Sequence, residues 1–274
     1  MAGWQDGRNV VLSVTAVLTL GLATAAAAQR FFSDNTGYEP QTRNIPYDGK
    51  FTFARIRYTT GPGGYYYRGL PAWAHGYVPD PRRGGGRAEV NLMKILNEVS
   101  YLNPHVEETN VLRLDDPNLF KYPVAYMTEA GFWELNDKEA AGLRAYLKKG
   151  GFVIFDDFRS DFRGGGGWAN FETNMHRVLP EGRFVALDPT MAIFDSFFKI
   201  DSLDIIPQSY DLGKPDILGL FEDNDPTKRL MVIANHNTDI SDFWEFSATG
   251  FRPIDESNQA YKLGVNYIMY GMTH

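Results

Sequence analysis

The chain has 274 residues, no cysteine, and 27 basic against 34 acidic side chains for a net charge of −7. Without cysteine there are no disulfides, thiolate zinc sites, iron–sulfur clusters or thiol nucleophiles, and the acidic balance argues against a nucleic-acid surface. A hydrophobic share of 43% over this length can close a sizeable core.

At the N-terminus, Arg8 precedes an uncharged run from Val10 to Ala28, and Ala26 and Ala28 make a small-x-small pair ahead of Gln29. This pattern predicts a signal peptide over residues 1–28 and an exported protein, periplasmic or secreted, with no membrane span after cleavage. The alternative is that the run is retained as an anchor. Residues 29–50 show neither helical nor alternating periodicity and read as an extended arm, and residues 51–274 read as one α/β domain. Phe51 to Tyr58 alternates as a first strand. A long Gly- and Pro-rich loop follows, carrying Tyr65, Tyr66, Tyr67, Trp73, His75 and Tyr77. Its rings either stack on a sugar or a partner, or fold back as a lid over the sheet.

Ala88 to Leu102 repeats apolar residues near a 3.6 period and predicts a helix, and Val111 to Leu114 a short strand. The apolar run Pro123 to Met127 leads to a helix capped by Asn136 with Glu139 in its first turn and stopped by Gly150 and Gly151. Phe152 to Phe155 then reads as a central strand buried on both faces. Strand, helix and strand from Val124 to Asp157 make a βαβ unit, so the predicted fold is a three-layer, doubly wound, mostly parallel sheet. Gly164 to Gly167 reads as a joint, and the glycines at 84–86 between Arg82-Arg83 and Arg87 as a hinge or an anion cradle. Further on come a helix around Phe171 to Leu179, a hairpin of Ile217 to Phe221 with Leu230 to Ala234, and a closing helix from Gln259 to Tyr270.

Ligands of open parallel sheets bind outside the carboxyl ends of the strands. If the strands ending near 127, 155 and 234 are neighbours, one crevice gathers Thr128, Glu129, Asp156, Asp157, Arg159, His236 and Asn237. Asp156, Asp157 and His236 are the candidate acid–base groups, with Asp156 and Asp157 as candidate metal ligands. Thr128, Glu129, Arg159, Asn237, Tyr66 and Trp73 are candidates for ligand contact. Each also has a plainer reading: aspartates at a strand end cap turns and helices, and a lone histidine between asparagines is a hydrogen-bonding loop group. No compact metal motif is present, and no cofactor is expected.

Several segments taken together, FARIRY, DDPNLFKYPVAYMTEAGF, LRAYLKKGGFVIFDDF, IFDSFF and AYKLGVNYIMYGMTH, resemble the bacterial DUF4159 family over residues 51–274. The resemblance implies a flavodoxin-like, class I glutamine amidotransferase-like α/β fold in exported or membrane-associated proteins, without an assigned activity or catalytic residues. The broader fold group places a cysteine at an elbow after a central strand. Here Thr128 and Glu129 follow that strand, so amidotransferase chemistry does not carry over. The expectation is a non-catalytic binding or scaffold module for an envelope carbohydrate or protein; the alternative is a metal-assisted hydrolase of an envelope polymer or ester.

Overall fold

The computed structural model describes residues 38–66, 69–79, 84–158, 167–205 and 214–274. In chain order the strands are β1 (Phe53–Ile56), β2 (Thr59–Thr60), β3 (Tyr65–Tyr66), β4 (Leu70–Pro71), β5 (Thr109–Leu112) and β6 (Val124–Thr128). They continue with β7 (Trp133–Glu134), β8 (Phe152–Phe158), β9 (Phe184–Ala186), β10 (Asp216–Phe221) and β11 (Leu230–His236). The helices are α1 (Ala88–Val99), α2 (Asp137–Lys148), α3 (Trp168–Val178), α4 (Ile240–Glu245) and α5 (Ile254–Thr273).

The seven-stranded sheet runs β5-β1-β6-β8-β11-β10-β9. The first five are parallel, and β10 and β9 extend them as antiparallel neighbours. Chain order across the parallel part is that of a flavodoxin-like sheet, whose order reverses between β1 and β6. Helices flank it on both faces, making three layers. Val124, Tyr126, Phe152 and Ile154 face α1, α4 and α5, while Ala125, Met127, Val153 and Phe155 face α2 and α3. Burial on both sides is why these strands read as unbroken apolar runs.

Local signals fix the α2 unit. Asn136 accepts from the Glu139 amide at 3.0 Å while the Glu139 carboxylate accepts from the Asn136 amide at 3.3 Å, a reciprocal cap. Gly150, at φ +107°, ends the turn after it. The helix expected to reach Leu102 stops at Val99, where the Ser100 hydroxyl donates to the Leu96 carbonyl at 2.6 Å. The strand expected at Val111 to Leu114 lies at Thr109–Leu112, and β8 continues three residues past the expected Phe155.

Residues 38–50 have no regular secondary structure, yet they are docked on the sheet. The Asn44 side-chain amide and the Val111 backbone exchange two hydrogen bonds, at 2.9 and 2.8 Å. Asn110 repeats the exchange with the backbone of Ile45, at 2.8 and 3.0 Å. Among the described residues no helix is long and apolar enough to cross a membrane. The signal-peptide segment, 1–28, lies outside the described residues, as do Arg82, Arg83, Arg159 and Gly164 to Gly166.

Candidate functional site

At the carboxyl ends of three neighbouring parallel strands the backbone turns left-handed at residues that are not glycine. These are Glu129 after β6 (φ +54°), Asp157 in β8 (φ +59°) and Asn237 after β11 (φ +59°). Each such residue costs roughly 1–3 kcal/mol, and this kind of strain concentrates at functional sites. In β8 the cause is visible in the register. Phe155 pairs with Ala234 and Phe158 with His236, so three steps on β8 match two on β11. The additional residue is a bulge, which carries both Phe155 and Phe158 onto the α2–α3 face and re-aims Asp157 between them.

The loop after β1 brings His75 to this point. Its Nδ1 lies 2.6 Å from Asp157 Oδ2 and 3.6 Å from Glu129 Oε1. The two acids are almost wholly buried, whereas 31% of the His75 side chain remains exposed and forms the way in. Tyr66 closes the outer side: its hydroxyl donates to Glu129 Oε1, and its ring stacks on the imidazole at 5.4 Å. From inside, the Tyr58 hydroxyl lies 3.0 and 2.8 Å from the carbonyls of Thr128 and Glu129, bracing the left-handed turn. Thr128 Oγ1 is 3.5 Å from Asp157 Oδ2.

These contacts set the protonation states. Burial, then the Asp157 charge, pushes the Glu129 carboxyl well above the usual carboxylate range, against the pull of His75 and Tyr66. For His75 burial lowers the imidazole, but the charge and hydrogen bond of Asp157, with Asp239 and Glu129 behind them, outweigh it and hold it well above its ordinary value. The protein therefore keeps one imidazole and two carboxyl groups in a single electrostatic unit.

The expected crevice is only partly the one observed. Asp157, Glu129, Thr128 and Tyr66 meet as described. Asp156 points the opposite way, and its carboxylate accepts from Tyr126 (3.0 Å), Asn235 (3.0 Å) and the amides of Ile240 (3.3 Å) and Ser241 (3.1 Å). It caps the start of α4, the plainer of its two readings, because alternation along β8 sends neighbouring side chains to opposite faces. His236 sits against Trp168 and Phe158, with Nδ1 3.7 Å from Asp216, and is not one of the His75 group. Asn237 is buried and donates to the Lys214 carbonyl at 3.1 Å. Trp73 must be corrected as a ligand-stacking residue: it is fully buried in the core against Tyr77, so it offers no face to a ligand.

His75 is the member of this group that sequence reasoning passed over as a site candidate. The ends of β6, β8 and β11 do not point to it; the reversal of strand order does, by putting the β1 end beside β6. Its neighbour Gly76 is the second signal. Gly76 sits at φ +71°, and a Cβ there would lie 3.2 Å from Ala88 Cβ where the loop meets the start of α1.

Among the described residues, His75, Glu129 and Asp157 are the one group of histidine and acidic residues whose ligand atoms all lie within 4.8 Å of one another. One imidazole and two carboxylates suit a divalent ion such as Zn2+ or Mn2+, and three protein ligands leave room for a further one. No curated protein matches the chain. Residues 79–272, which include Glu129 and Asp157 and begin just after His75, match the family described as Domain of unknown function (DUF4159). With that match spanning most of its length, and with the α/β sheet whose strand ends build this site, the chain belongs to the DUF4159 family.

Proposed function

We propose that the protein is a metal-assisted hydrolase whose centre is His75, Glu129 and Asp157, acting on an ester or a polymer linkage of the cell envelope. The observation that carries the reading is the convergence of those three ligand atoms at the point where strand order reverses, on backbone held left-handed at both acids. Held by His75, Glu129 and Asp157, a divalent ion would supply Lewis-acid polarisation and make water nucleophilic near neutral pH. The protein's part is to hold the three ligands, to keep Glu129 and Asp157 away from bulk solvent, and to leave His75 open to the substrate. Tyr66, bonded to Glu129, stands ready to hydrogen-bond a carbonyl oxygen that gains charge. In the overall reaction a water oxygen joins the acyl or glycosyl carbon, the linkage to the leaving oxygen breaks, and a water proton ends on that oxygen. The envelope enters through the export pattern of the N-terminus.

The second reading, a binding module for an envelope carbohydrate or protein, is favoured by the cover Tyr66 places over two of the three groups. At the turn where the broader fold group carries a cysteine, this chain has Glu129. Both readings use the same crevice.

Thermal unfolding of the purified protein with Zn2+ and with Mn2+, alongside turnover of p-nitrophenyl acetate, separates them. An ion that binds only the folded state at about a hundredfold above its Kd adds about 2.7 kcal/mol of stability. The hydrolase reading expects the ion to raise the melting temperature and support turnover, and expects Asp157→Asn to lose both while staying folded. An ion-induced rise without turnover of any ester or glycan leaves the binding module. No rise with either ion overturns the metal centre.

A further inference from the structure

Arg55 lies on β1, fully buried, with no part in the His75–Glu129–Asp157 group itself. Its guanidinium makes four hydrogen bonds. Nε and one terminal nitrogen grip the Glu89 carboxylate of α1 at 3.0 and 3.1 Å. The other terminal nitrogen donates to the Trp73 carbonyl at 3.0 Å and to the His75 carbonyl at 2.9 Å. The plane also lies over the Tyr126 ring at 5.2 Å, on the strand that ends in Glu129.

A buried ion pair of this kind gains little stability over well-packed apolar residues, because two charges must leave water to form it. What Arg55 provides that an apolar pair cannot is a rigid fork. Only a planar group with five fixed donors can bind a carboxylate in parallel and reach two successive loop carbonyls at once. The loop is tied on both sides of the fork's contact: the His75 amide donates to the Ala72 carbonyl at 3.1 Å, and the Gly76 carbonyl accepts from the Ala88 amide at 2.9 Å. The His75 backbone is thus fixed to β1 and to the first turn of α1, and its ring is left to meet Asp157.

We infer that Arg55 is a positioning residue of the site: through the His75 carbonyl it sets where the imidazole stands relative to Glu129 and Asp157, with Glu89 orienting the fork. The inference rests on reading His75 as a metal ligand. Groups that orient a ligand in this way change metal affinity about 10–100-fold when removed.

The test is the double variant Arg55→Met with Glu89→Leu, which replaces the ion pair by apolar side chains of similar length. Zn2+ affinity by calorimetry and the melting temperature without metal are read on the same protein. A purely structural role moves the melting temperature and leaves the affinity of the folded fraction unchanged. The positioning role lowers the affinity of the folded protein 10–100-fold, whatever the melting temperature does as the Trp73 and His75 carbonyls lose their donor. A double variant that binds Zn2+ as the parent does overturns the inference. Should that variant not fold, Arg55→Lys serves: it keeps the charge with fewer donors and without the fork, so affinity should fall by several-fold, and parental affinity again overturns the proposal. If the parent itself takes up no ion, the hydrolase reading fails, and Arg55 is judged by a crystal structure of the variant. Loss of the 2.6 Å contact between His75 and Asp157 then supports positioning, and its retention overturns it.

Discussion

Two histidines stand at the carboxyl end of the same sheet, each beside a carboxylate, and they are driven in opposite directions. His75 touches Asp157 at 2.6 Å, with Glu129 and Asp239 close behind, and it is held charged well above its ordinary range. His236 faces a mostly exposed Asp216 at 3.7 Å and is wedged among Trp168 and Phe158, so burial, the larger influence, pulls its pKa down. Proximity to a carboxylate therefore does not define a functional histidine. What separates the two is whether the acid is itself buried, because a carboxylate screened by water cannot offset the desolvation of the ring.

The most direct way to break the comparison is to change both histidines identically. His75→Phe removes one of three ligand groups and should abolish the Zn2+-induced rise in melting temperature. His236→Phe replaces one ring of an aromatic cluster by another and should leave that rise intact, changing stability by about 1–2 kcal/mol at most. Equal loss in both variants would mean that the crevice is wider than the His75 group.

A smaller effect sharpens the electrostatic half. Burial, and after it the neighbouring Asp157 charge, pushes Asp156 up to about 7. A carboxyl whose folded pKa lies above its unfolded value binds its proton more tightly in the folded state. Its contribution is complete below the unfolded pKa and is lost as pH rises through the folded one. Chemical denaturation of the metal-free protein should therefore show stability falling between about pH 4 and pH 7. Asp156→Asn, less stable throughout because an amide cannot accept from all four donors, should flatten that slope. An unchanged slope in the variant would assign it to other groups.

The smallest effect belongs to Tyr66. Tyr66→Phe keeps the ring on His75 and removes the hydroxyl from Glu129. A hydrogen bond to a carboxylate is worth about 1.5–3 kcal/mol, and its removal alters ion affinity only where the metal-free and metal-bound states differ in it. With the ion taking Glu129 Oε1 from the hydroxyl, Zn2+ affinity should rise by about tenfold or more in the variant, in contrast to the complete loss in His75→Phe. An unchanged affinity would show that the hydroxyl keeps its bond to Glu129 when the ion binds.

Much of the fold was legible because it rests on local chemistry. The Asn136–Glu139 cap, the glycine stop at Gly150 and the apolar runs of β6, β8 and β11 each state their role within a few residues. β9 and α4 carry no such signal: β9 has three half- or fully exposed residues, and α4 is one turn and a half buried on all sides. Of the candidate site, the placement of Glu129 and Asp157 at one crevice was legible, since strand-end reasoning reaches both. It was not legible at Asp156, since only the bulge and alternation along β8 decide which of two adjacent aspartates faces the crevice. His75 stayed hidden for a different reason: strand order in space, not in sequence, brings the end of β1 next to β6.

The paired asparagines that fasten residues 44 and 45 along β5 have a consequence outside the site. A border strand in a parallel sheet presents free amides and carbonyls that invite the border of another molecule. Here the Asn44 side chain occupies the Val111 amide and carbonyl, with Asn110 reaching back to the Ile45 backbone, and no strand is added that could itself be extended. Cleavage between Ile45 and Phe51 would leave the domain's own strands intact and yet open this border to self-association. A recombinant version begun at the first strand should therefore be the one that clumps.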